Sequence, residues 1–247
     1  MLPIQEWHKR FMQQAEWTRD IRQYLFNKAH LENAQSILDV GCGTGAITRE
    51  IPNNSIIHGL DLEMDRLRFA QSDLNYVSLL CADGHHLPYP ENSFSTVLCH
   101  FLLLWVISPK IVIREMIRVC KPGGYILLLA EPDYGGRIDY PNDLQLLGES
   151  QTESLRKQGA EPNTGRELAK WLYEEGVNDI EVGILGAQWK GKPSHDTWKS
   201  EWQILEFDLG DSLTKDDIRE YKEIDKAAWE DGSRILFIPT FYAIGII

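Results

Sequence analysis

The sequence lacks the features that would place the chain in a membrane or outside the cell. Its longest apolar runs, residues 101–107 and 235–247, fall well short of the ~20 residues that a membrane span needs. The first ten residues do not have the basic-then-apolar order of a secretion signal. The four cysteines show no Cys-x-x-Cys or zinc-like spacing. We therefore expect a cytoplasmic protein with free thiols and no bound metal.

Basic residues are scarce relative to acidic ones. The chain has 25 Lys and Arg against 37 Asp and Glu, so its formal net charge is −12 with neutral histidines. This balance argues against a general basic face for a polyanion, and it disfavours nucleic acid as a substrate. A local basic patch around residues 190–199 leaves a tRNA substrate open.

The central part of the chain alternates between two kinds of segment. Short runs that are apolar along their whole length begin at residues 36, 56, 76, 96 and 125, and amphipathic helical patterns separate several of them. Such an alternation is typical of a mostly parallel sheet that helices cover on both faces. The sequence therefore predicts a doubly wound α/β fold.

Around this core we expect a single domain with additions at both ends. A helical arm would occupy residues 1–35, and the alternating core would occupy residues 36–131. Two helical insertions, over residues 132–179 and 189–233, would follow the core, and one strand over residues 234–247 would close the chain.

A glycine-rich turn follows the first predicted strand. Gly41, Gly43 and Gly45 precede a helix that we expect over residues 46–51. Glycines let a ligand approach the backbone, and exposed amides at a helix N-terminus suit an anionic group. Asp61 lies 20 residues after Gly41, at the end of the second strand, where its carboxylate can accept from both ribose hydroxyls. These features predict an adenosine-bearing cofactor, although the glycine spacing also satisfies the dinucleotide fingerprint.

Four segments in order favour one of these cofactors. They are Ile37-Leu-Asp-Val-Gly-Cys-Gly-Thr-Gly45, then Gly59-Leu-Asp-Leu62, then Cys81-Ala-Asp-Gly84 with Leu87-Pro88 and Phe94-Ser-Thr-Val97, and finally Arg118-Val-Cys-Lys-Pro-Gly-Gly-Tyr-Ile-Leu127. They closely resemble the motifs of the class I S-adenosylmethionine-dependent methyltransferases, which carry an acidic residue two positions before the first glycine. The resemblance implies a seven-stranded Rossmann-like sheet. It also implies S-adenosylmethionine as cofactor and S-adenosylhomocysteine as product. Residues 36–131 would then be the cofactor-binding core, and we expect the two helical insertions to form a substrate cap.

The resemblance further implies contacts at the methionine end of the cofactor. This end would lie over Gly41, Gly43 and Gly45, with contacts from Cys42 and Thr44. Asp39 and His100 also belong to this end of the site. Asp39 would contact the ligand or, as we favour, orient the turn by accepting hydrogen bonds from backbone amides. His100, at the end of the fourth strand, would approach the methyl donor.

Contacts with the nucleoside end follow from the same resemblance. Asp61 would bind the ribose, and Leu62 would cover one face of the adenine. Asp83 would accept a hydrogen bond from the adenine amino group, while the Gly84 amide would meet a ring nitrogen.

Candidates for the chemistry lie at the carboxyl ends of the strands. His100 is the first candidate for a general base and Asp133 the second. Tyr134 and Trp17 are candidates for substrate contacts, because aromatic side chains outside the sheet suit a lid over an apolar or cationic ligand. Asp133 and Tyr134 also fit a simple turn, since Pro132 precedes them and two glycines follow.

Other conspicuous residues favour structural interpretations. One of His85 and His86 could line the site, but we favour surface positions for both, because a histidine pair without carboxylate partners is a poor metal motif. The cysteines are expected to pack as small apolar residues. Residues 216–231 predict an acidic helix with a solvated face.

The leading hypothesis is a methyltransferase that acts on a small-molecule acceptor by in-line transfer from a sulfonium. The donor is already activated, so the protein mainly supplies alignment and exclusion of water, which can contribute ~7–11 kcal/mol. The fourth strand ends in Cys99-His-Phe-Leu102, which departs from the Asn/Asp-Pro-Pro-Tyr/Phe motif of amino-methylating DNA and RNA enzymes. A nicotinamide-dependent oxidoreductase and a non-catalytic cofactor-binding protein are the alternatives.

Overall fold

The computed structural model describes residues 3–185, 192–210 and 212–247. Residues 189–191, where the second insertion is predicted to begin, lie outside the described residues. The chain divides into two compact units, the first comprising Met1–Glu131, Thr164–Leu185 and Phe241–Ile247 and the second Pro132–Asn163 and Gly186–Thr240. The role of the insertions as a substrate cap stays a prediction.

Nine strands are described, and seven of them form one sheet. They are β1 (Ser36–Val40), β2 (Ile56–Asp61), β3 (Ser78–Cys81), β4 (Phe94–Cys99), β5 (Cys120–Pro132), β6 (Ile138–Tyr140), β7 (Asn178–Leu185), β8 (Ile235–Phe237) and β9 (Thr240–Ile246). The large sheet has the order β3-β2-β1-β4-β5-β9-β7, and β6 pairs with β8. All the pairings among β1 to β5 are parallel. The predicted doubly wound, mostly parallel fold is thus confirmed.

The helices follow the predicted amphipathic segments. They are α1 (Ile4–Trp17), α2 (Arg19–Lys28), α3 (Met64–Gln71), α4 (Pro109–Val119), α5 (Gln145–Lys157), α6 (Leu168–Glu174), α7 (His195–Leu209) and α8 (Lys215–Asp231). Pro109 opens α4 at its first position, where the missing N–H costs no helical hydrogen bond. Among the described residues, no helix is long and apolar enough to cross a membrane.

The central strands of the sheet in the first unit are buried on both faces, whereas the outer strands β3 and β7 are largely exposed. Successive residues of β1 belong to different apolar clusters: Leu38 to the cluster that contains residues of α4 and α6, and Ile37 to the cluster that contains residues of α2. This explains why the strand is apolar along its whole length. Three of the four free cysteines are buried as expected, whereas Cys81 is exposed.

The helix predicted over residues 46–51 does not form. The chain makes only a 3-10 turn at Thr48–Glu50. Gly45 has a φ of +76°, outside the helical region, and Pro52 favours the extended conformation that Ile51 adopts, with ψ 132°. The few residues between these two breaks cannot sustain a cooperative α-helix.

The single closing strand predicted over residues 234–247 is divided in two. β8 pairs antiparallel with β6 in the second unit, whereas β9 belongs to the large sheet. Pro239 lies between them, and its carbonyl accepts a hydrogen bond from the Asp133 amide at 2.8 Å. Proline has no N–H for a sheet ladder, so its place between strands agrees with its chemistry.

Helix α8 in the second unit has a buried acidic side chain as well as a solvated face. Asp225 is buried, and its carboxylate accepts from the indoles of Trp198 and Trp202 at 2.7 and 3.0 Å. Arg234 donates to the same carboxylate at 2.6 Å and also pairs with Asp139 at 2.8 Å. The prediction for residues 216–231 is therefore wrong at this position, because a buried charge is tolerated where charged and polar partners satisfy it.

Candidate functional site

The register of the sheet brings the predicted site residues to one edge. Val40 is opposite Leu60 of β2 and Cys99 of β4, and Asp61 is opposite Cys81 of β3. Parallel strands end at the same edge, so the residues that follow these positions are neighbours. Four groups meet there: the glycine turn, Asp61, the segment of Asp83 and Gly84, and His100.

The glycine turn depends on backbone conformations that other residues rarely adopt. Gly41, Gly43 and Gly45 have φ angles of +74°, +55° and +76°. A Cβ on Gly41 would lie 2.7 Å from Leu102 Cδ1, and one on Gly45 would collide with Leu74. The turn is therefore closed by both conformation and packing. Thr44, within it, is fully buried.

Asp61 anchors the turn from the end of β2. Its Oδ2 accepts from the Gly43 amide at 2.8 Å, and its Oδ1 accepts from the Glu63 amide at 2.9 Å. The residue is 6% exposed. A carboxylate offers about four lone-pair positions, so one on each oxygen is left for a further donor. This suits the adjacent hydroxyl pair of a ribose, and the neighbouring Leu62 is 66% exposed and free to cover a base.

Asp39 is bonded to a side chain rather than to the predicted backbone amides. The Thr48 hydroxyl donates to its Oδ2 at 2.6 Å. Burial raises the pKa of Asp39 to about 7, against the opposing effect of the Thr48 hydrogen bond. Asp39 thus holds the 3-10 turn that follows the glycines. The sequence does not identify Thr48 as its partner, because Thr48 comes nine positions later. Cys42, beside this carboxyl group, is buried with its thiol pKa raised well above the usual range, chiefly by desolvation.

Asp83 forms hydrogen bonds with His85, two positions later in the chain. Its Oδ1 accepts from the His85 amide at 2.9 Å and lies 2.6 Å from His85 Nδ1. These hydrogen bonds hold the pKa of Asp83 below its usual value. The expectation that the histidine pair lacks a carboxylate partner is therefore wrong for His85. Gly84 stands close to β1, where a Cβ would lie 3.4 Å from Val40 Cγ1.

His100 is held by the N-terminal arm. Its Nε2 lies 2.9 Å from the Thr18 hydroxyl, which also accepts a hydrogen bond from the buried Arg22. Arg22 in turn pairs with Glu50 at 2.6 Å. Burial and the charge of Arg22 hold the pKa of His100 well below its usual value. The ring is thus neutral at physiological pH and a weaker base than an exposed histidine.

Helix α1 lies against the glycine turn. His8 Nδ1 is 2.9 Å from the Thr44 hydroxyl, and the His8 ring packs on Phe69 at 4.8 Å between centroids. A Cβ on Gly43 would lie 3.5 Å from the Phe11 ring. The sequence does not identify His8 or Phe11, because an amphipathic pattern shows which face is buried but not what it covers.

Glu131 is a third site residue that the motifs do not identify. It is fully buried at the end of β5. Its carboxylate accepts from the amides of Leu102 and Leu103 at 2.9 and 2.8 Å, and from Leu104 at 3.3 Å. Burial raises its pKa to about 7, although these amides oppose the rise. Glu131 therefore shapes the segment that follows His100.

The predicted base Asp133 and the predicted substrate residues Tyr134 and Trp17 lie in separate parts of the chain. Asp133 and Tyr134 belong to the second unit, where Asp133 Oδ1 accepts from the Gly136 amide at 3.1 Å and begins a 3-10 turn. This agrees with the turn interpretation. Trp17 belongs to the first unit, is 38% exposed and has the Arg10 guanidinium 4.7 Å from its ring centroid. Their contacts with a substrate stay predictions. Among the described residues, no group of three or more His, Cys, Asp and Glu could hold a metal ion.

Comparison with known proteins finds a family whose model matches the residues at these strand ends. The family described as Methyltransferase domain matches residues 38–128, which contain the glycine turn, Asp61, Asp83 and His100. Residues 38–128 therefore form a methyltransferase domain, in agreement with the resemblance of the sequence motifs to the class I S-adenosylmethionine-dependent methyltransferases. The strand order and the segments around the glycine turn are those of a methyltransferase core.

Curated relatives of the chain differ in the share of their length that the match covers. An uncharacterized methyltransferase of Schizosaccharomyces pombe is 31% identical over 161 residues, which are 59% of this chain and 57% of that protein. A demethylmenaquinone methyltransferase of Geobacillus kaustophilus is 29% identical over 194 residues, which are 70% of this chain and 81% of that protein. The chain thus spans little more than half of the first relative and about four fifths of the second.

Solved structures share the fold at low sequence identity. The YcgJ protein of Bacillus subtilis is 17% identical with a TM-score of 0.61, and the match covers 92% of this chain and 98% of that one. Phosphoethanolamine N-methyltransferase 2 of Haemonchus contortus, in complex with phosphomonomethylethanolamine and S-adenosylhomocysteine, is 17% identical with a TM-score of 0.63, covering 95% and 56%. The [4+2]-cyclase SpnF is 19% identical with a TM-score of 0.55, covering 93% and 80%. These likenesses concern the fold alone.

Proposed function

We propose that this protein transfers a methyl group from S-adenosylmethionine to a small-molecule acceptor. The observation that carries the proposal is the meeting of the glycine turn, Asp61 and the Asp83 segment at the carboxyl ends of three adjacent parallel strands. The sheet register places Val40 opposite Leu60 and Asp61 opposite Cys81, so the three elements stand at or just after aligned positions. A nicotinamide-dependent oxidoreductase accounts for the turn and Asp61 but not for the Asp83 segment.

The nucleoside end of the cofactor fits the residues after β2 and β3. Asp61 keeps a lone pair on each oxygen for the ribose hydroxyls while its other lone pairs hold the turn. Leu62 offers an exposed apolar side chain to the base. Asp83 has a half-exposed carboxylate, 51% for the side chain, with its Oδ2 available to an amino group.

The methionine end suits the glycine turn and the surroundings of His100. The bound cofactor supplies a sulfonium-activated methyl group, so the chemistry needs no nucleophile from this chain. A neutral His100 does not repel a sulfonium, and its low pKa keeps it neutral. We therefore favour a positioning role for His100 in this site over the general-base role, while Asp133 remains a candidate for the base. Alignment and exclusion of water then supply most of the rate enhancement.

A small-molecule acceptor agrees with the charge of the protein and with the names of its relatives. A net charge of −12 disfavours a polyanionic acceptor. The relative from Geobacillus is named for demethylmenaquinone. Another, from Marinomonas, is named malonyl-[acyl-carrier protein] O-methyltransferase and is 32% identical over 119 residues, which are 46% of this chain and 44% of that protein. We also propose a cytoplasmic location, which the four free cysteines support.

A second candidate is a cofactor-binding protein that does not transfer methyl groups. The observation in its favour is the shared fold with a [4+2]-cyclase. This candidate and the proposed function agree on cofactor binding and differ in turnover, so two measurements separate them.

The first measurement is a thermal-shift titration with S-adenosylmethionine, S-adenosylhomocysteine, NAD and NADP in parallel. A ligand at a hundredfold excess over its dissociation constant stabilises the folded state by about 2.7 kcal/mol. We expect a shift with the two sulfur compounds alone and a much weaker one for Asp61→Asn. Stabilisation by a nicotinamide nucleotide alone would refute the proposal. An acceptor screen that detects S-adenosylhomocysteine release then separates methyl transfer from binding.

A further inference from the structure

His85 lies next to the predicted adenine contacts and is bonded on both ring nitrogens. Nδ1 is 2.6 Å from Asp83 Oδ1. On the other side, the backbone amide of Ser108 donates to Nε2 at 3.3 Å. Ser108 is the residue immediately before α4. One side chain thus connects the acidic residue after β3 with the start of a helix that comes after β4.

These contacts determine the tautomer of His85. A backbone N–H is only a donor, so Nε2 must offer its lone pair to Ser108. The proton of the neutral ring then sits on Nδ1 and is directed at Asp83 Oδ1. Two donors from the same residue, the His85 amide and the imidazole Nδ1–H, therefore converge on this one oxygen.

The consequence is a carboxylate with fixed orientation. The side chain of Asp83 is half exposed, and an exposed carboxylate ordinarily rotates among several positions. With Oδ1 held twice, Oδ2 is left as the acceptor for a ligand. The His85 side chain is itself 19% exposed, so the pair stays at the edge of the site rather than in the core.

We propose that His85 is a positioning residue that fixes Asp83 for the recognition of an amino group on the cofactor's purine base. The inference rests on the proposed function, because it requires the base to lie beside Asp83. An ionised carboxylate accepts hydrogen bonds and cannot donate them. A fixed Asp83 therefore selects a 6-amino purine over a 6-oxo purine, whose oxygen would face the carboxylate.

The test separates the two hydrogen bonds of His85 with two amide variants. In His85→Asn the side-chain amide stands where Nδ1 stands, so a donor to Asp83 is retained. In His85→Gln the amide reaches the position of Nε2, so the contact with Ser108 is retained and the donor to Asp83 is lost. His86→Gln is the matched control, because His86 is the adjacent residue of the same type and its described hydrogen bond to Asp83 runs through the backbone, from the His86 amide to the Asp83 carbonyl at 3.0 Å.

The readout is the ratio of affinities for S-adenosylhomocysteine and S-inosylhomocysteine, measured by calorimetry on the full chain. We expect the wild-type protein to prefer the adenosyl compound by about tenfold or more, as befits a hydrogen bond to a charged group. We expect His85→Gln to lower this ratio by roughly fivefold, while His85→Asn and His86→Gln keep it. Melting temperatures verify that each variant is folded.

The possible failures are distinguishable. If His85→Gln weakens both ligands in the same proportion, the residue has a merely structural role and the inference is overturned. A ratio that stays unchanged in His85→Gln, with both affinities intact, overturns it as well. If the wild-type protein binds neither compound, the proposed function itself is wrong. If it binds both equally, Asp83 does not read the base and the inference falls while cofactor binding stands.

Discussion

Two buried acidic side chains organise the segments at the C-terminal ends of the strands. Asp39 holds Thr48 after the glycine turn, and Glu131 holds three amides of the segment after His100. Burial raises the pKa of each to about 7. Each group therefore couples the local shape of the site to pH, because its ionised form is destabilised in the folded protein.

The pH dependence of stability should change in the variant Glu131→Gln. The folded pKa of about 7 exceeds the usual 4.5, so between these values the folded state binds one more proton than the unfolded state. The contribution of Glu131 is thus fully present below pH 4.5, falls by up to about 1.4 kcal/mol per pH unit in this window, and is lost above the folded pKa. Urea unfolding at pH 5, 6 and 7 measures it as the difference between wild type and variant. A difference that is constant with pH would contradict the prediction.

The glycines of the turn should differ in their tolerance of alanine. Both Gly43 and Gly45 have positive φ, which costs an alanine about 1–2 kcal/mol. A Cβ on Gly43 meets Phe11 at an ordinary 3.5 Å, whereas one on Gly45 collides with Leu74. Overpacking adds roughly 1–3 kcal/mol. Urea denaturation should therefore show a larger loss for Gly45→Ala than for Gly43→Ala, and equal losses would mean that Leu74 moves aside freely.

At the scale of secondary-structure elements, helices α7 and α8 are joined by polar groups inside an apolar cluster. The cluster contains Trp202, Leu144, Leu147 and Leu209, and Asp225 of α8 enters it bonded to two indoles and to Arg234. An acidic helix pattern does not reveal that one of its carboxylates faces inward. The same network continues from Arg234 to Asp139 of β6, so it fastens the short sheet to the helices.

Removal of the Asp225 carboxylate should destabilise the second unit strongly. In Asp225→Ala a buried guanidinium and two indole N–H groups lose a shared acceptor, and breaking a buried ion pair on one side costs about 3–5 kcal/mol. Asp216→Ala on the same helix is the control, because Asp216 is exposed and its described ion pair is with Arg219 at 3.1 Å. Urea unfolding followed by tryptophan fluorescence measures both. A loss below about 1 kcal/mol in Asp225→Ala would show that Asp139 alone satisfies Arg234.

At the scale of the whole molecule, the excess of acidic residues governs the choice of partner. The net charge is −12 and the isoelectric point is about 5.0. The basic patch considered around residues 190–199 is weakened where the structure describes it, because Lys192 pairs with Glu230 at 3.3 Å. Residues 190 and 191 lie outside the described residues.

The protein should not retain tRNA. A chain of this charge repels polyanions, and binding to phosphates depends on local cations that release counterions. A gel-shift titration with total tRNA at about 0.15 M salt, where the Debye length is about 8 Å, should show no complex at micromolar protein. A basic RNA-binding protein serves as the positive control. A complex that disappears with rising salt would make tRNA a candidate acceptor again.

The sequence by itself determined the parallel sheet, the glycine turn and the positions of Asp61 and Asp83. These features depend on apolar periodicity and on residues that act close to their own strand ends, so they can be read locally. The helix predicted after the turn failed because Gly45 and Pro52 confine it from both sides. Local propensity was outweighed there by two backbone restrictions.

Only the tertiary structure decided which side chains complete the site. Thr18 reaches His100 across 82 positions, Glu131 binds amides nearly 30 positions earlier, and His85 meets Ser108 across 23. Such contacts leave no periodic pattern, because the sheet order rather than the chain order makes the residues neighbours. The physical reason is that a hydrogen bond depends on distance in space, whereas a motif records distance along the chain.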